Sequence, residues 1–408
     1  MHAASSVVMA VGVAVSAASR AADPMWDPAP PVVGLPELIF SGGTSKGSCD
    51  DFDLPDMPAR AWRDTTGTVT LAASWATSRF SIGPSLDSVK HSCHVVFNST
   101  MSGDNALYAD HEWMCAAYLA DDNMTVMGYM HQEYHGWEHG NCSVPGGGRA
   151  KVEGCWMVAM TSTVSHDGGR SFAHTADPPG HLVAAAPLQY DPNHSEFGYG
   201  DPSGIIRHHA DGMYYTMLHS RTAHGVVIPG TGLMRTANVL DWKSWRCWNG
   251  SAFSAVFVDP YAVPRPDSAM LSRHVCAAIP ALGFTVLAVR WSEHFQRYIA
   301  IGEGLFRLNN GTQIPAFLYT LSAADDAHLT RWESPPRLIR PMLHSMLLSE
   351  NYPSVLDSMS DSANFETIGQ QAWLYYTLQT RSTDPTDPCG RPPNCRNLMR
   401  QRITFGDF

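Results

Sequence analysis

Two distant stretches of the chain share one plan, and that recurrence limits the folds open to it more than any other feature. "DMPARAWRDTTGTVTLAAS" (Asp56 to Ser74) and "DPSGIIRHHADGMYYTMLHS" (Asp201 to Ser220) each carry an Asp eleven residues before a turn glycine, Gly67 or Gly212. Each reads as an acid in a turn, a short strand, a tight turn and a second strand rich in apolar residues. Asp and Pro are poor inside strands and suit the loop that feeds one. Looser copies run from Trp113 to Tyr134, Phe284 to Gly304 and Tyr352 to Gln379, which makes five units. Self-similarity at tens of residues predicts an array of like modules.

Composition agrees with many short strands. The 408 residues are 44% hydrophobic and only 16% charged, with 33 Gly, 28 Pro, 12 Trp, 14 Tyr and 15 Phe. Five four-stranded modules of about 70 to 75 residues each fill the chain after a leader, which predicts an all-β, five-bladed β-propeller in a single domain over 22–408. A β-sandwich with a long insertion is the rival, and it leaves the recurring acid unexplained. "TSTVSHDGGRSF" adds one Asp-box, S-x-D-x-G-x-x-F on Ser165, Asp167, Gly169 and Phe172, a hairpin turn in which the acid steadies its own loop.

The formal net charge of −11, with no cluster of Lys and Arg, argues against nucleic acid and anionic membrane as partners and suits a neutral or weakly cationic ligand. The apolar run Val7 to Ala18, followed by Ser19-Arg20-Ala21, reads as a signal peptide over 1–21, with a short uncleaved anchor as the alternative because no Lys or Arg precedes the run. No later run reaches the ~20 apolar residues of a membrane span. Six sequons (Asn98, Asn123, Asn141, Asn193, Asn249, Asn310) and nine cysteines point the same way, to a secreted glycoprotein with disulfides. Short loops predict the pairs Cys389 with Cys395 and Cys142 with Cys155, and the odd count leaves one thiol over. "PGGGRAK" lacks the spacing of a phosphate-binding loop, and no cofactor is implied by any run.

In a propeller the innermost strand of every blade lines a central funnel, so acids at the start of different blades converge in space. Glycosidic cleavage needs such convergence, with one carboxylate as base or nucleophile and one carboxylic acid to protonate the leaving oxygen. The Asp56 and Asp201 stretches, with their D-x-P or D-P opening, turn glycine and the paired Tyr214 and Tyr215, resemble the five-bladed propeller glycoside hydrolases of the family 43 arabinanase and family 32 invertase type. The resemblance implies a retaining or inverting glycosidase on a polysaccharide or oligosaccharide. It matches the base to Asp56 and a middle-blade acid to Asp201, and it places the proton donor on a later blade, where Glu293 and Glu350 are the candidates. "DHEWM", "HQEYHG", "MRTANVLDWKSWRCWNG" and "NLMRQRITF" also look like a group of secreted bacterial propeller proteins of unassigned function.

"MHQEYHGWEH" is the densest polar cluster, and strand alternation puts His131, Glu133 and His135 on one face. They can serve acid–base chemistry, hold a sugar hydroxyl or ligate a structural metal ion in the funnel. Asp110, Arg235 and Tyr352 complete the expected sugar-binding set. Each choice has a plain counterpart: Asp56 and Asp201 also fit as turn caps, and Trp242, Trp245 and Trp248 fit packing between blades as well as stacking on sugars. A lectin-like propeller that binds without cleaving is the alternative function.

Overall fold

The hairpins form as their turn residues dictate. In the first, the Asp64 carboxylate accepts from the amides of Thr66 at 2.8 Å and Thr68 at 3.0 Å, and Gly67 takes a left-handed φ of 80° that a side chain resists. In the second, Asp211 accepts from the Met213 amide at 3.0 Å and Gly212 sits at φ 69°. These turns join Arg60–Arg63 to Val69–Ala72 and Ile206–Arg207 to Tyr214–Ser220.

The computed structural model describes residues 30–407, apart from 44–47, 144–154, 195, 222–226, 264–270, 384–388 and 390–394. The expected signal peptide and the Gly-rich run at 145–151 lie outside the described residues. Five sheets follow one another along the chain, each a blade. Blade 1 begins at Arg60–Arg63, blade 2 at His111–Leu119, blade 3 at Ile206–Arg207, blade 4 at Thr285–Ser292 and blade 5 at Leu348–Leu356. The outermost strand of blade 5 is Val32–Gly42, which pairs antiparallel with Cys395–Thr404, so the first described strand seals the last blade.

Why the ring closes is visible in its cores. Five apolar clusters each join two consecutive blades: Trp62 and Phe80 with Met114 and Met130; Tyr129 and Met160 with Tyr214 and Trp245; Met217 and Leu233 with Val286 and Tyr298; Ile299 and Phe317 with Val355 and Leu374; and Leu356 and Tyr375 with Ala59 and Leu71. The last of these links blade 5 back to blade 1. A sheet with both faces apolar must be covered on both, and a closed ring achieves that without leaving an end blade bare. Trp245 is buried in this packing, its Nε1 donating to Tyr129 Oη at 3.1 Å, while Trp242 Nε1 donates to the Gly180 carbonyl of blade 2. Both tryptophans therefore pack between blades.

Arg60 stands on the axis. Only 2% exposed, it donates to the carbonyls of Ala59, Cys115, Pro202 and Leu287 and to Ser354 Oγ, and so reaches all five blades. Below it Arg290 donates to the carbonyls of Val289 and Val355. Burial lowers both guanidinium pKa values, Arg60 to about 10 and Arg290 to about 9. Together they tie inner strands of the ring to one another.

Four disulfides hold the periphery: Cys49–Cys93, Cys142–Cys155, Cys247–Cys276 and Cys389–Cys395, two of them the expected pairs. The thiol left over is Cys115, buried beside the axis with Sγ 3.2 Å from the Pro202 carbonyl. The disulfides accord with export, and no helix among the described residues is long and apolar enough to cross a membrane. Of the six sequon asparagines, Asn98, Asn193, Asn249 and Asn310 are exposed. The Asp-box closes as expected: Asp167 Oδ1 accepts from the amides of Arg170 and Ser171, and Phe172 packs edge-on to Trp62.

Candidate active site

The funnel mouth is built where blade 3 begins. Gly200 passes so close to the His131 ring that a Cβ there would lie 2.5 Å from it, so only glycine fits. Asp201 then turns left-handed, φ 49°, and its amide donates to His131 Nδ1 at 2.9 Å. Across the mouth Tyr352 is left-handed too, φ 59°, within an irregularity of the blade 5 inner strand between Asn351 and Ser354. Two non-glycine residues in that conformation, each at a cost of roughly 1 to 3 kcal/mol, mark a constrained site.

With the Asp201 amide directed at Nδ1, it is the Nε2 side of the His131 ring that meets Glu133, Nε2 to Oε1 at 2.7 Å. The other Glu133 oxygen lies 2.7 Å from His135 Nε2, and His135 Nδ1 lies 3.2 Å from Glu138 Oε1. Burial opposes a charge on His135, but the bonds to Glu133 and Glu138 outweigh it and raise its pKa to about 9. Burial likewise opposes the Glu133 charge and is outweighed by its two histidines, which keep that carboxylate ionised. Asp110 joins the same network: Oδ2 accepts from the His135 amide at 3.0 Å and lies 2.8 Å from His139 Nε2.

Arg221 spans the other side. Its Nη2 donates to Asp201 Oδ2 at 2.9 Å and its Nε lies 3.4 Å from Glu196 Oε1, while the side chain stays 41% exposed to the funnel. Asp201, 3% exposed, would be protonated by burial alone, and Arg221 pulls its pKa down instead. Two other carboxyls behave oppositely. Burial raises Glu196 to about 7 despite Arg221, and burial raises Glu303 to about 7, with the Asp201 charge adding to it. Glu303 Oε2 accepts only from the Tyr352 amide, at 3.0 Å, and among the described residues it has no ion-pair partner. Burial also pushes the Tyr352 phenol up, and the negative charge of Asp201 adds to it. Trp113, Met57 and Cys115 form an apolar patch beside these polar groups.

The structure thus brings Asp201, His131, Glu133, His135, Asp110 and Tyr352 together; of the other four expected site residues, two are held by arginines and two lie at far strand ends. Asp56 is buried, but its carboxylate lies against Arg396 of blade 5, because the loop that carries it packs on that blade through the Pro55 carbonyl and Thr377 Oγ1. Glu350 is gripped by Arg340, Nη1 to Oε2 at 2.7 Å and Nη2 to Oε1 at 3.0 Å, with the Leu343 amide as a third donor. A carboxylate held by a two-pronged guanidinium is a poor proton donor. Glu293 is exposed just past Ser292, whereas Thr285, at the start of that strand, is the end that meets His219 near Asp201. Arg235, on Gly230–Thr236, pairs in register with Tyr215 and stacks 4.2 Å over Phe253, while His219, at the other end of the partner strand Tyr214–Ser220, bridges Gly200. Glu293 and Arg235 therefore sit at the far ends of their strands.

Residues not foreseen are Glu196, Arg221 and Glu303. Glu196 lies in the same "EFGYGD" run as Asp201, and Arg221 directly follows the strand that ends at Ser220. Nothing in the sequence marks Glu303, which comes from the second strand of blade 4, Arg297–Arg307.

No family model matches the sequence, and comparison with curated proteins returns no match. Among solved structures the chain is similar to an alpha-L-arabinofuranosidase from Lactobacillus brevis, at 12% identity and TM-score 0.49 over 87% of this chain and 93% of that one. It is also similar to an endo-arabinase from Bacteroides thetaiotaomicron, at 11% identity and TM-score 0.47 over 91% and 98%. An alpha-L-arabinanase from Cellvibrio cellulosa, complexed with arabinohexaose, follows at 11% identity and TM-score 0.42 over 86% and 91%.

Proposed function

We propose that the protein is a secreted glycoside hydrolase that cleaves a neutral or weakly cationic oligosaccharide or polysaccharide in this funnel. One observation carries the reading: Asp201 is held ionised by Arg221 within the same pocket in which Glu303 is raised to about 7. Carboxyls whose surroundings push their pKa values apart supply the base and the acid of such a reaction. In this reading Glu303 protonates the departing glycosidic oxygen and Asp201 serves as base or nucleophile on the sugar. Glu196 and Arg221 orient Asp201, and Glu133 with its two histidines binds sugar hydroxyls beside Trp113 and Tyr352. Asp56 takes a supporting part by fixing the blade 1 loop.

The test is turnover on a panel of aryl glycosides and glycans, with Asp201→Asn and Glu303→Gln beside the unmodified protein. Loss of turnover in both variants supports the assignment. Unchanged turnover in either removes that residue's role. A binding-only reading is favoured by the arginines on Asp56 and Glu350. Glycan-array binding without turnover in the unmodified protein would establish it instead.

A further inference from the structure

The geometry points to a zinc-binding site in blade 2 formed by Glu112, His174 and His181. Glu112 lies on the inner strand, His174 on Ala173–His174, and His181 just before Leu182–Ala184. Their ligand atoms all fall within 4.8 Å of one another. Glu112 Oε2 is 2.9 Å from His174 Nε2, and Oε1 is 3.4 Å from His181 Nε2. Nitrogen and oxygen ligands about 2.0 to 2.2 Å from a tetrahedral zinc stand roughly 3.3 Å apart, a value that the two Glu112–histidine spacings bracket.

A second observation is independent of the spacing. His181 is 0% exposed, and neither of its ring nitrogens has a hydrogen-bond partner among the described residues. Its Nε2 faces Glu112 without the alignment of a hydrogen bond. A fully buried imidazole with both nitrogens idle is expensive, and a metal ion supplies what is missing. The contrast with His135 is direct, since both nitrogens of that ring meet carboxylates. Thr161 Oγ1 donates to Glu112 Oε1 at 2.7 Å and steadies the carboxylate. Two neutral imidazoles and one carboxylate suit zinc, with a water in the fourth position. Metal there fastens the 175–181 loop to the inner strand, next to Phe97 of blade 1, whose ring centre is 5.5 Å from that of His174.

The full chain is incubated with zinc, dialysed exhaustively and assayed for metal by mass spectrometry. The expected content is one zinc per chain, falling below a tenth in His174→Ala/His181→Ala and unchanged in His135→Ala. Cobalt(II) in the unmodified protein is expected to give the visible absorption of a four-coordinate site, a reading that needs no variant to fold. Absence of both stoichiometric zinc and that absorption in the unmodified protein overturns the assignment. Retention of the zinc by a folded His181→Gln variant does so as well.

Discussion

Asp56 and Asp201 start from the same pattern and end in different chemistry. Their hairpins coincide: an acid caps each turn, and a left-handed glycine follows at φ 80° or 69°. The leading acids diverge. Asp56 is consumed by Arg396, which reaches it from the third strand of blade 5, whereas Asp201 keeps an oxygen on Arg221, beside the strained backbone and the polar groups of the site. Turn geometry is a local property of a few residues and repeats with them. The availability of a carboxylate is decided by what a neighbouring blade puts beside it.

The widest separation between the two acids is expected in catalysis. Asp201→Asn lowers kcat/KM on a responsive glycoside by 10²- to 10⁴-fold, the usual worth of a positioned acid or base, while Asp56→Asn stays within about tenfold. Equal losses would erase the distinction drawn here. Next comes stability. Arg396→Ala and Arg221→Ala each strand a buried carboxylate, and each is expected to destabilise by about 3 kcal/mol in urea unfolding. Arg221→Ala alone also moves the acid limb of the pH–rate profile upward, because Asp201 loses the cation that keeps it ionised.

Glu303 sharpens the contrast through pH. Its folded pKa of about 7 lies above the ordinary carboxyl value, so the folded state binds the extra proton and stability falls as pH rises from about 4.5 to 7. Activity that needs Glu303 protonated falls through the same upper limit. Glu303→Gln removes this dependence and is expected to be more stable than the unmodified protein at pH 8 by on the order of 2 kcal/mol, measured by chemical unfolding. No gain at pH 8 would mean that Glu303 ionises without penalty. The smallest effect tests the shared part of the plan: Gly67→Ala and Gly212→Ala, each with open space around the added carbon, should cost a similar ~1 kcal/mol. Unequal costs would show that the two turns are not equivalent.

What the sequence made legible was what local chemistry encodes. The hairpins, the Asp-box, two short disulfide loops and the modular array follow from turn residues and alternation, and five modules imply a closed ring. The polar cluster at His131, Glu133 and His135 was legible because strand alternation puts those side chains on one face. Partners contributed by distant blades were not. Nothing near Asp56 announces Arg396, and nothing near Glu350 announces Arg340, since each pairing depends on how blades pack. Glu303 projects from a second strand, where a pattern fixed on the beginnings of first strands does not look.

The Arg60 guanidinium, which reaches every blade, ties its own hydrogen bonding to the completed ring. Arg60 belongs to the first blade, yet its last acceptors arrive with the fourth and fifth. A side chain of the first blade thereby depends on the last two blades for its full set of hydrogen bonds.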